Sequence, residues 1–351
     1  MLAQIIKASE KRGPGRGASC KGDLKKVMKP SIDTVSIIGA GALGAVYAAM
    51  LHDMDTGCVA FVAGGERAER LSREGVVVND KPYHIPVLSP QDPTAPADLV
   101  IVAVKYQHLD DAIRDMKSRV GAETLIISVM NGIESEERIG ATCGREKVLY
   151  CVSVGIDALR DENRVIYTTQ GKLFIGEAAN PVLTERVRRV QALFDRAGIV
   201  YETPPDMMRI LWWKFMINVG INQASAVLRA PYAVFQAAGE ARELMDAAMR
   251  EVVRLAGKAG VDLSDADISG FDPYLFRLNP QGKTSMLQDV EACRKTEVEM
   301  FAGQVIELGR RYGVPTPVNQ SLFDQIRKIE FTCDMGTDLK SVPISSDKRG
   351  G

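Results

Sequence analysis

With 351 residues, 46% of them hydrophobic and 25% charged, the chain has the make-up of an ordinary globular protein and length enough for two domains. A formal net charge of −1 gives no electrostatic case for nucleic acid or an anionic membrane, and no apolar run approaches a membrane-spanning length. Six cysteines without CxxC or His-paired spacing read as reduced thiols of a cytoplasmic protein, not a disulfide framework or zinc site, and three histidines leave few candidates for histidine acid–base chemistry.

The opening MLAQIIKASEKRGPGRGASCKGDLKKVMKP holds eight Lys/Arg against two acidic residues, with Gly and Pro interspersed. Residues 1–31 are expected to form a disordered basic tail; an organelle-targeting peptide is the alternative, and Met28 is a second candidate start. From Thr34, TVSIIGAGALGAVYAAML reads as strand, glycine turn and helix. Gly39, Ala40, Gly41, Ala42, Leu43 and Gly44 spell G-x-G-x-x-G. The first glycine allows the tight turn, the second lets backbone approach a pyrophosphate, and the third lets helix pack on strand. The N–H groups at the helix start then face the phosphates. A glycine-rich loop without a ligand is the competing reading, and the strand before and helix after weigh against it.

CVAFVA (58–63) is a second strand and ERAERLSREG (66–75) a helix. Where NAD-preferring domains carry Asp or Glu for the ribose 2′-OH, this chain has Ala63, Gly64 and Gly65, followed by Arg67 and Arg70. That favours a 2′-phosphate on one of these arginines, hence NADP(H), over two arginines that merely coat a solvated helix. DLVIVAVK (98–105), TLIISVMNG (124–132), VLYCVSVGIDAL, RVIYTT and KLFIGEA read as further strands, and HLDDAIRDMKSRV (108–120) as an amphipathic helix. Strand–helix repetition of this kind predicts an α/β fold with an N-terminal Rossmann-type doubly wound sheet over 32–205. Ligands of such sheets bind beyond the C-terminal strand ends, where Lys105 and Asn131 lie. After Pro204-Pro205 the chain turns helical, which predicts an all-helical C-terminal domain over 206–335 and a loose tail over 336–351.

Inside that helical part, LWWKFMINVGINQ (211–223) puts one cation and two amides in an apolar stretch. Lys214, Asn218 and Asn222 are spaced i, i+4, i+8 and share one helix face. Read on spacing alone, a snorkelling lysine with two amides satisfied by neighbouring helices competes with a functional stripe.

Taken with GAGALG (39–44), VAVK (102–105), MNGIES (130–135) and TSMLQDVEACRKTEVEMFAG (284–303), WWKFMINVGIN (212–222) resembles the ketopantoate reductase (2-dehydropantoate 2-reductase) family over residues 33 to 332. The resemblance implies a Rossmann domain, a helical domain and an active site in the cleft between them. It implies Lys214 as proton donor, Asn218 and Asn222 as substrate-holding amides, Ser285 near the substrate carboxylate, and Glu297 completing the site. Lys105 and Asn131 match cofactor contacts. The implied reaction is NADPH-dependent reduction of a small 2-oxo carboxylate, 2-dehydropantoate to pantoate first among them, in pantothenate and coenzyme A biosynthesis. A cation beside the carbonyl oxygen would stabilise the developing alkoxide and supply its proton. The chain departs from the family where Gly64 replaces an arginine, Tyr232 an asparagine and Gly282 a polar residue, with His108 near a usual glutamine. Two of these changes lie on the substrate side, so another 2-oxo acid or an opine-type reaction stays open. A non-catalytic NADP-binding sensor is the alternative from outside enzymes. The partner is thus a small molecule, and a homodimer is admitted but not specified.

Overall fold

A computed structural model describes residues 31–92 and 95–335. The tails expected over 1–31 and 336–351 fall outside these residues, Ser31 excepted. The chain divides into two compact units. The first comprises the residues up to Val104, His108–Met130 and Ser135–Met207; the second comprises Lys105–Gln107, Asn131–Glu134 and the residues from Met208 on.

The first unit is an α/β fold. Its strands are β1 (Val35–Ile38), β2 (Val59–Val62), β3 (Val76–Val78), β4 (Lys81–Tyr83), β5 (Val87–Leu88) and β6 (Leu99–Val102), then β7 (Leu125–Ser128), β8 (Val148–Val154), β9 (Leu159–Asp161), β10 (Arg164–Ile166), β11 (Lys172–Gly176) and β12 (Tyr201–Glu202). The main sheet runs β12-β11-β8-β7-β6-β1-β2-β5. β1 pairs in parallel with both β2 and β6, so the chain order reverses at β1 and creates the crevice where doubly wound sheets bind ligands. Continuous apolar strands such as LVIV suit a sheet covered on both faces. Accordingly Ile37, Leu99, Ile101 and Ile127 join one buried cluster, while their alternating neighbours Ile38, Val100, Val102 and Ile126 join another.

Three expectations change. RVIYTT yields β10, but β10 leaves the main sheet and joins a separate one ordered β4-β3-β10-β9. A tight turn with Glu162 at φ 49° folds β9 back on β10, and a hairpin cannot continue a parallel crossover. The stretch 108–120 is broken into a helix Leu109–Asp115 between two short 3-10 turns. Finally, Cys293 is bonded to Cys333, where free thiols were expected; Cys58, Cys143 and Cys151 are free. The partners are 40 residues apart in sequence, and packing alone brings their Cα atoms to 5.4 Å.

The second unit is helical, with no strand from Met208 on among the described residues. Helix Glu240–Lys258 packs on residues Asn218–Asn222, which follow helix Met207–Ile217, and its buried Met245, Met249 and Val252 share one apolar cluster with Phe215, Met216, Phe301 and Leu322. No helix among the described residues is long and apolar enough to cross a membrane.

Candidate active site

The glycine loop takes the shape its sequence requires. Gly39 has φ +107°, and a Cβ there would press on the Ala103 backbone beyond β6. A Cβ at Gly44 would collide with the Gly39 carbonyl, so helix Ala42–Met54 can start so close to β1 only with glycine there. At Gly41 the nearest atom to a Cβ is the Ala103 carbonyl oxygen at 3.6 Å, which leaves the loop open on that side. No side chain caps this helix start, so its N–H groups remain for an anion. These features fit a dinucleotide pyrophosphate. β2 ends at Val62 without a carboxylate, and exposed Arg67 and Arg70 lie on helix Gly65–Glu74.

In the second unit, Lys214 sits in the last turn of helix Met207–Ile217, whose apolar residues fill the core. The next residues, Asn218–Asn222, form a π turn, not the uninterrupted α-helix the spacing implied. This matters for the stripe. Four residues of α-helix advance about 40° past a full turn, so a third residue at i+8 would drift off the face. The wider π turn takes up that excess and keeps Asn222 nearer the line of Lys214 and Asn218. Gly220 makes room for helix Glu240–Lys258, since a Cβ there would meet the Met249 side chain.

Lys214 is half-buried, and desolvation by its apolar surroundings brings its ammonium down to about 8. Asn218 and Asn222 are buried at 7% exposure each. The Asn218 amide donates to the Asn131 side-chain oxygen at 3.3 Å, and Asn131 is in turn hydrogen-bonded to Glu297. Burial pushes the Glu297 carboxyl above its usual range, against the pull of the Lys105 charge, the Tyr106 backbone and Asn131. Lys105 donates to both carboxylate oxygens of Asp289, at 3.0 and 2.9 Å. Asp289 also accepts from Arg294 Nε at 2.8 Å.

Lys105, Asn131, Lys214, Asn218, Asn222 and Glu297 all belong to the second unit, where Asn218 meets Asn131 and Glu297 feels both Asn131 and Lys105. Ser285 is placed differently. It is the exposed first residue of helix Ser285–Glu291, which packs on the π turn. Thr284 before it is the buried cap, accepting from Leu287 N at 3.1 Å. Asp289 escaped the sequence reading; its spacing of four from Ser285 on one helix face was the available signal. The two substrate-side departures prove to be neighbours. Tyr232 N donates to the Gly282 carbonyl at 3.0 Å, and a Cβ at Gly282 would meet the Tyr232 ring at 3.0 and 3.2 Å.

Comparison with known proteins now bears on this arrangement. The family model described as ketopantoate reductase PanE/ApbA matches residues 35–180, and that of the ketopantoate reductase PanE/ApbA C terminal matches 206–330. A 2-dehydropantoate 2-reductase of Archaeoglobus fulgidus is 27% identical over 85% of this chain and 98% of its own. The solved 2-dehydropantoate 2-reductase of Geobacter metallireducens is 25% identical, with a TM-score of 0.75 over 84% of this chain and 99% of that one. A D-mandelate dehydrogenase solved with NADH and anilino(oxo)acetate superposes with a TM-score of 0.78 over 86% of this chain and 99% of that one; at 19% identity it speaks for the fold alone.

Proposed function

Because the chain belongs to the ketopantoate reductase family of oxidoreductases, we propose that it reduces a small 2-oxo carboxylate to the 2-hydroxy acid with NADPH, and that 2-dehydropantoate is the first substrate to test. The observation that carries this reading is Lys214, a desolvated cation one helical turn before Asn218, whose amide is linked through Asn131 to Glu297.

The glycine loop and the N–H groups at the start of helix Ala42–Met54 would hold the pyrophosphate, with Arg67 or Arg70 on the 2′-phosphate. A reduced nicotinamide, when bound, supplies the hydride. Lys214 Nζ lies beside the carbonyl oxygen in this proposal, stabilises the alkoxide as negative charge develops and gives it a proton. Its lowered pKa makes that transfer easier than from an ordinary lysine. Asn218 and Asn222 orient the substrate's polar groups from the same face. Asn131 fixes the Asn218 amide, and Glu297 fixes Asn131. Lys105, anchored by Asp289, offers a cation at the end of β6. A cytoplasmic location belongs to the same proposal; the free thiols of Cys58, Cys143 and Cys151 favour it, and the Cys293–Cys333 bond weighs against it.

Steady-state kinetics with 2-dehydropantoate and with both NADPH and NADH tests the proposal. Turnover with neither cofactor would overturn it. A second reading, a 2-oxo acid with a bulkier apolar side chain, draws on the Tyr232 ring packed over Gly282 in place of two polar residues. In a panel of 2-oxo acids it requires a branched or aromatic substrate to exceed 2-dehydropantoate in kcat/KM. It also requires Tyr232→Asn to shift the ranking back.

A further inference from the structure

Beside the glycine loop the first unit collects a third guanidinium. Arg160 lies on β9, in the small sheet and about ninety residues along the chain from Arg70. Its Nη1 donates to the carbonyl oxygen of Ala40, the residue between Gly39 and Gly41, and its Nε donates to the Glu162 carbonyl at 2.6 Å. These two bonds anchor the plane of the fork, and neither uses Nη2. The side chain stays exposed enough to meet a solute.

The charges around it need an explanation. Partial desolvation beside the loop lowers the Arg160 pKa although the side chain reaches solvent, and the positive charges of Arg67 and Arg70 lower it further. Partial desolvation likewise lowers Arg67, exposed as it is, with Arg70 adding to it. Asp115 opposes this on Arg67, while the charges felt by Arg160 are those of Arg67 and Arg70. Three like charges held in mutual reach raise the free energy of the site unless an anion completes it. A phosphate dianion does so best, because guanidinium forks match its oxygens. The loop at Ala40 and the end of β2 bracket the place where a dinucleotide's adenosine ribose lies.

We infer that Arg160 is a specificity-determining residue that joins Arg67 and Arg70 around the 2′-phosphate of the cofactor, delivered by a hairpin outside the parallel sheet. The inference rests on the NADPH reading proposed above. Arg160 does for the 2′-phosphate what the family's arginine at the Gly64 position would otherwise do. It also ties phosphate recognition to the loop, since the same guanidinium holds the Ala40 carbonyl.

Adenosine 2′,5′-bisphosphate and adenosine 5′-monophosphate differ by that phosphate alone, so their affinities for the full chain, measured by calorimetric titration, isolate it. The unmodified protein should bind the bisphosphate more tightly. Arg160→Gln should weaken bisphosphate binding roughly tenfold or more, the worth of a charge-assisted hydrogen bond, and leave the monophosphate within about twofold. Arg160→Lys should recover part of the preference. If the unmodified protein prefers the bisphosphate and Arg160→Gln preserves that preference, this inference fails while the NADPH reading stands. Equal weakening of both ligands would reduce Arg160 to a support of the loop and also overturn it. If the unmodified protein binds both ligands equally, the NADPH reading falls and takes this inference with it.

Discussion

At Lys214, burial and chemistry act in the same direction. Stripping water from an ammonium weakens its hold on the proton, and the value of about 8 leaves it protonated at neutral pH yet ready to give the proton up. Lys214→Met should therefore lower kcat roughly 10²–10⁴-fold, the usual worth of a positioned acid. A normal kcat with a lower melting temperature would instead mark a structural lysine. The sign of the pH dependence follows from the same pKa. Below about 8 the donor carries its proton and kcat for reduction should be level. Above it kcat should fall as the proton is lost, while the reverse oxidation, which needs neutral lysine, should rise. A reduction rate that stays level to pH 10 would exclude this group as donor. Asn218→Ala should raise substrate KM more than it lowers kcat if, as proposed, Asn218 orients the substrate without exchanging a proton. The opposite split would place it in the chemistry.

Among elements, the connector between helix Ser285–Glu291 and the π turn Glu299–Gly303 carries the most consequence. Asp289, which anchors Lys105, lies four residues before Cys293, and Glu297 lies four after it. Cys293 has φ 46°, a left-handed conformation that ends the helix, and its bond to Cys333 ties the connector to the last turn of helix Pro317–Asp334. Closing a loop of 40 residues restricts the unfolded chain by about 4 kcal/mol. Cys333→Ser, or reduction of the intact protein, should lower the melting temperature measurably, and thiol titration in denaturant should rise by two groups on reduction. If the titration does not change, the pair is not bonded in solution and the original expectation of free thiols returns. The π turn at Asn218–Asn222 has a comparable role: it corrects the drift of an α-helix, and with it the aim of two buried amides.

For the whole molecule, two units with separate hydrophobic cores imply separate unfolding. The first buries Ile37, Val46, Leu99 and Phe194 around its sheet, and the second buries Phe215, Met249, Phe301 and Leu322 among its helices. Scanning calorimetry should resolve two transitions, with a calorimetric enthalpy above the van't Hoff value. Adenosine 2′,5′-bisphosphate should raise the transition of the unit that holds the glycine loop and leave the other in place. A single two-state transition would contradict this.

Much of this protein was legible without coordinates wherever the information is local. The glycine spacing from Gly39 to Gly44, the β-branched strands and the missing carboxylate after Val62 each depend on a few adjacent residues, so the α/β class followed by helices could be read directly. The Lys214 stripe was visible for the same reason, as a period along one segment. What tertiary structure decided were the encounters between distant segments. Asp289 meets Lys105 across 184 positions, Asn131 meets Asn218 across 87, and Arg160 reaches Ala40 across 120. Ser285 turned out exposed, and Cys293 found Cys333. Periodicity tells which face of an element is buried; which other side chain waits there is set by how the elements pack, and a single sequence does not carry that.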